Sequence, residues 1–211
     1  ASSFCVGMFD LLLYRDGACF ISGDGVFSGY TVSVECIEHD LDVCWEVVNN
    51  DSETMYFTIG GHPAFRVPVR EGESQSDYRL AFEGLDTLTY LLIDTSVGTV
   101  LADEPHTLSL ENGTCSIAPH MFDKDALVFD NGQIQKAGIL FPDGTPYLTL
   151  TSEGFPNFGI WSVPGAPFVC LEPWMGRCDD CGFEKPLSEK ANINVLKPDE
   201  EFIKSYQITV H

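Results

Sequence analysis

Apolar residues in this chain recur at every second position, in short runs, and almost nowhere at helical spacing. A period of two marks strands with one buried and one open face. Residues 30–37 show it plainly: Tyr30, Val32, Val34 and Cys36 alternate with Thr31, Ser33 and Glu35. A polar step at Glu38-His39-Asp40 leads to residues 43–48, and Asn49-Asn50-Asp51-Ser52 leads to residues 55–59. Short turns between such runs predict an antiparallel meander of three strands. Similar runs at 78–82, 88–92, 107–110, 126–129, 139–141, 147–151, 159–162, 168–171 and 202–210 are bounded by Gly, Pro, Asn and Asp. No crossover helix separates them, so the expectation is an all-β chain, a large antiparallel β-sandwich forming one domain over residues 1–211.

Charge narrows the partners. With 32 acidic and 11 basic residues the formal charge is −21, while 44% of the residues are apolar. That apolar share suits a packed core rather than an acidic tail. A field of this sign repels nucleic acid and anionic membrane surfaces. It disfavours anionic substrates as well, and leaves a neutral or cationic small molecule as the expected ligand. No apolar run approaches the roughly 20 residues of a membrane span. Residues 9–13 are too short, and carry Asp10, for a signal core, so the cytoplasm is the expected compartment. The eight cysteines, scattered in apolar company, read as small buried hydrophobes. The pair in Cys178-Asp-Asp-Cys181 has no further ligands at zinc-site spacing, and reads the same way.

Three stretches bear groups that do chemistry. In Ile59-Gly60-Gly61-His62-Pro63-Ala64-Phe65 a histidine sits at a strand end, between glycines that admit positive φ or a close approach and a proline that stiffens the exit. Such an imidazole suits acid–base work, although spacing alone prefers a histidine that only hydrogen-bonds its loop. In Val169-Cys170-Leu171-Glu172-Pro173-Trp174, Glu172 is the only charge between Trp161 and Gly176. Burial there favours a general base and the neighbouring tryptophans a sugar-stacking wall; a surface glutamate at a strand end fits the spacing equally. Asp123 and Asp125, at the mouth of the apolar run 126–129, read as turn formers. His39, His106, His120 and His211 have no partner by spacing, and Arg66 and Arg70 read as solvated.

Taken together, FTIGGHPAF, FDKDALVF, GIWSVPGAPFVCLEPWMG and LKPDEEFIKSYQITV resemble the aldose 1-epimerases, the galactose mutarotase-like family, and within it the bacterial LacX-like branch. The resemblance runs from about residue 25 to the C-terminus. It implies a large antiparallel β-sandwich and acid–base opening of a sugar ring, on a neutral hexose and without metal or organic cofactor. In that chemistry Glu172 takes the proton of the anomeric hydroxyl and His62 protonates the ring oxygen. The C1–O5 bond breaks, the aldehyde turns about C1–C2, and the ring recloses on its other face. Asp125 matches an aspartate that binds sugar hydroxyls, and Trp161, Trp174 and Phe65 are the candidate stacking residues.

Residues 1–24 do not resemble the family's N-terminal segment, which carries an Arg and a second His lining the same site; Arg15-Asp16-Gly17 is a faint match, and Asp16 cannot replace an imidazole. The expected scaffold therefore lacks N-terminal strands, and uncovered sheet edges favour a homodimer. A non-catalytic carbohydrate-binding or regulatory protein is the alternative function. A sugar-phosphate epimerase is a third, weighed down by the acidity and the want of an Arg cluster.

Overall fold

The computed structural model describes residues 29–37 and 39–211; the N-terminal readings, Arg15-Asp16-Gly17 and residues 9–13 among them, lie outside the described residues. Two antiparallel sheets dominate. The larger has seven strands, in the order Gly29–Ile37, Asp40–Val48, Glu201–Val210, Pro146–Thr151, Lys136–Leu140, Arg79–Ala81, Thr114–Ser116. The smaller runs Leu127–Phe129, Asn157–Trp161, Phe168–Met175 and Ile59–Gly60, and Ala64–Arg66 also pairs with Phe168–Met175. The described helical residues form two short 3-10 turns, Gln75–Asp77 and Leu187–Glu189. No helix among the described residues is long and apolar enough to cross a membrane.

The expected alternation places the core. Along Asp40–Val48, Val43, Trp45 and Val47 are buried while Glu46 is exposed. They meet Leu148, Leu150, Tyr206 and Ile208 of the same sheet and, from the smaller one, Leu127, Phe129, Phe158, Ile160, Val169 and Leu171. Each such side chain contributes about 1.5–3 kcal/mol relative to exposure. This is the sandwich read from the sequence.

Two details differ from the reading. The first two strands form the expected hairpin, Gly29↔Val48 through Ile37↔Asp40, but the third does not extend it. Met55–Phe57 pairs with Asn194–Leu196, and the outer side of Asp40–Val48 is taken by Glu201–Val210. A ten-residue C-terminal strand buries more surface against that hairpin than a three-residue one, so a distant pairing displaces the local one. The thiols also differ: Cys170 is buried, whereas Cys36 and Cys181 are exposed, and all described cysteines are free.

Candidate active site

The register of the smaller sheet brings the two sequence candidates together. Gly60 lies opposite Trp174 and Ala64 opposite Cys170. Between these pairs, Gly61 N–H donates to the Pro173 carbonyl (3.0 Å) and Leu171 N–H to that of Pro63 (3.3 Å). His62, in the break between its two short strands, therefore faces Glu172. Its Nδ1 lies 3.5 Å from Oε1 of Glu172, with the imidazole a third exposed and the carboxylate only 5%.

Alternation then sorts the remaining candidates. Val169 and Leu171 point into the core, so Cys170, Glu172 and Trp174 share the opposite face. Gly159 is opposite Glu172 and Trp161 opposite Cys170, which puts Trp161 on that face too. Its ring meets the His62 imidazole edge-on at 5.6 Å. Phe65 does not join them. It pairs with Val169, three residues past His62, and packs in the core; strand alternation turns it away from the side of the sheet where His62 and Glu172 meet.

Of the two uses read for the glycines before His62, the structure shows close approach, by side chains rather than by another backbone. Neither has positive φ. A Cβ on Gly60 would stand 2.4 Å from Cδ1 of Trp174, and one on Gly61 2.8 Å from the Tyr206 hydroxyl on the core side. Across the strand, a Cβ on Gly159 would stand 2.4 Å from Cζ2 of the same indole. Gly60 and Gly159 thus let the Trp174 ring lie flat over the sheet beside Glu172.

Asp125 keeps its turn geometry. At φ 73° it takes the left-handed conformation that Asp tolerates better than most residues. Its Oδ1 accepts the Ala126 N–H at 2.7 Å, on the approach to Leu127–Phe129. Continuing the register Leu127↔Ile160 places it beyond Trp161 at the same end of the sheet. Other candidates have partners that their spacing does not show. His106 stacks on Tyr90, His120 pairs with Asp123, and exposed Arg70 lies over Phe141 beside Glu73 and Asp143.

Sequence reasoning passed over Arg177. Its side chain is 8% exposed, and Nη2 lies 2.7 Å from Asp130 and 2.8 Å from Asp180. Asp130 also accepts from Asn157 Nδ2 at 2.7 Å, and Asn157 is opposite Trp174. Burial opposes the guanidinium charge, but the hydrogen bonds and charges of Asp130 and Asp180 outweigh it, so Arg177 is held charged even more firmly than usual. A polar Asn157 inside the apolar run NFGIW was the one local signal. Beside Glu172, burial first and then the carboxylate charge push the Cys170 thiol far up, which keeps it from acting as a nucleophile.

A buried carboxylate thus faces a half-open imidazole on an indole-lined face of a two-sheet antiparallel sandwich, and that sandwich is the fold of the galactose mutarotase-like proteins. In sequence the chain is similar to LacX. Aligned over 184 residues with LacX of Lactococcus lactis subsp. lactis, in its plasmid and chromosomal forms, it is 30% identical, covering 86% of this chain and 60% of LacX. The chain thus spans about three fifths of the length of these curated relatives. It is similar in structure to a galactose mutarotase related enzyme from Lactobacillus acidophilus, with TM-score 0.79 and 25% identity over 88% of this chain and 62% of that one. A galactose mutarotase-like protein from Lactobacillus casei gives 0.72 and 26% over 87% and 64%. No family model matches the chain.

Proposed function

We propose that this chain carries the acid–base pair of an aldose 1-epimerase, interconverting the α and β anomers of a neutral hexose. The observation that carries this reading is the placement of His62 opposite Glu172, 3.5 Å apart, on the sheet face that also bears Trp161 and Trp174. Mutarotation needs a base for the anomeric hydroxyl and a proton donor for the ring oxygen, working together at neutral pH. Glu172, shielded from water, is the base, and His62, open to solvent on one side, is the donor. The indoles offer flat apolar surfaces to a pyranose ring, and Asp125 at the rim accepts from its hydroxyls. An uncharged sugar suits the strongly acidic chain, whose field turns phosphorylated sugars away.

The test is the rate at which freshly dissolved α-glucose or α-galactose reaches its equilibrium rotation. Acceleration over buffer that is lost in Glu172→Gln supports the reading. A rate equal to buffer, with hexose binding still seen by calorimetry, replaces it with a binding-only protein.

A further inference from the structure

We propose that His62, Cys170 and Glu172 form an open three-ligand site for a divalent cation of the zinc class, and that its occupancy shuts the sugar site. A ring nitrogen of His62, Sγ of Cys170 and a carboxylate oxygen of Glu172 all lie within 4.8 Å of one another. Among the described residues no other group of three His, Cys, Asp or Glu side chains stands as close.

The donor set selects the ion. Thiolate with imidazole and carboxylate suits zinc and its neighbours, whereas magnesium and calcium require oxygen shells. Three protein ligands with one open position is the arrangement zinc adopts where it also meets a small molecule. In tetrahedral coordination, metal–ligand bonds of about 2.0–2.3 Å set donors roughly 3.3–3.8 Å apart. The His62–Glu172 separation of 3.5 Å is already in that range. The sulfur needs only a modest closing, which the partly exposed imidazole has room to make. Cys170 and Glu172 share one strand, His62 is held between two short segments that pair with it, and Trp161 meets the imidazole edge-on, so the frame is well fixed. Coordination displaces the thiol proton to solvent, forming a sulfur–metal bond with no change of oxidation state.

Cys170 has no part in sugar chemistry, yet it completes this donor set. With the ion bound, Glu172 cannot accept a proton nor His62 deliver one. That inhibitory consequence rests on the epimerase reading; the binding itself does not.

Equilibrium dialysis of the chain against Zn(II), followed by Co(II) substitution, tests the site. The expected result is one ion per chain, a thiolate-to-cobalt charge-transfer band, and loss of that band in Cys170→Ser. His62→Ala should bind at least about tenfold more weakly, and this partly exposed position carries the test if Cys170→Ser does not fold. Zn(II) should also slow mutarotation, with a chelator restoring the rate. A band that survives Cys170→Ser, or Zn(II) affinity unchanged in folded His62→Ala, overturns the site by placing the ion elsewhere, for example at Cys178 and Cys181. Metal-free protein without mutarotase activity refutes the epimerase reading, and the cobalt spectrum still decides the metal site.

Discussion

His62 stands directly opposite Glu172 in the register of two antiparallel strand segments, with Nδ1 3.5 Å from Oε1. The pair is fixed by backbone rather than by its own attraction. The bonds from Gly61 to Pro173 and from Leu171 to Pro63 flank it on both sides. Side-chain substitutions at either position should therefore leave the sheet intact and report on chemistry.

The glycines under Trp174 permit a sharp test of what shapes this face. Gly159→Ala places a methyl 2.4 Å from the indole, on a backbone with no slack in mid-strand. Overpacking of this kind costs about 1–3 kcal/mol. The midpoint of urea unfolding should fall and tryptophan emission shift as the ring lifts. Unchanged stability and emission would mean that the ring does not lie on Gly159.

Removing Arg177 should cost more than removing a surface cation. Arg177→Met leaves Asp130 and Asp180 without their shared partner at a site where the guanidinium is 8% exposed. The aspartates left behind are 21% and 42% exposed, so water takes up part of the loss and the cost should be about 1–3 kcal/mol. In a double-mutant cycle with Asp130→Ala, the second change should cost clearly less than it does alone. Additive losses would show that the pair is not coupled.

Thiol reactivity should follow environment. Burial raises the Cys115 thiol to about 11, only partly offset by Arg79, while Cys36 lies exposed on the edge strand. A higher pKa leaves less thiolate at a given pH, so alkylation of Cys115 at pH 8 should be slower than that of Cys36 by about a hundredfold or more. The gap should narrow as the pH approaches 11. Peptide mapping after timed iodoacetamide labelling gives both rates in one sample.

Much of the fold was legible because alternation is a local signal. The runs at 30–37, 43–48, 147–151 and 202–210 reappear as strands of the larger sheet. Their order was not legible. Nothing near residue 48 announces that the strand Glu201–Val210 displaces Met55–Phe57 from its side. The same limit applied to the site. His62 and Glu172 each stood out by composition, but only a family resemblance joined them, since sheet pairing between distant segments leaves no mark on either one. Phe65, a stacking candidate under the resemblance, is turned into the core by alternation. Arg177 was missed because one arginine in a loop carries no sign of its burial.

In the proposed function Glu172 removes a proton from a sugar held against His62. The most direct measurement is anomeric exchange of glucose or galactose, followed by polarimetry or saturation-transfer NMR, in the parent chain and in Glu172→Gln. General acid–base groups contribute about 10²–10⁴-fold. Exchange should be faster than buffer in the parent and fall by that order in Glu172→Gln, with folding and hexose binding retained. An equal exchange rate in the two folded proteins would contradict that function.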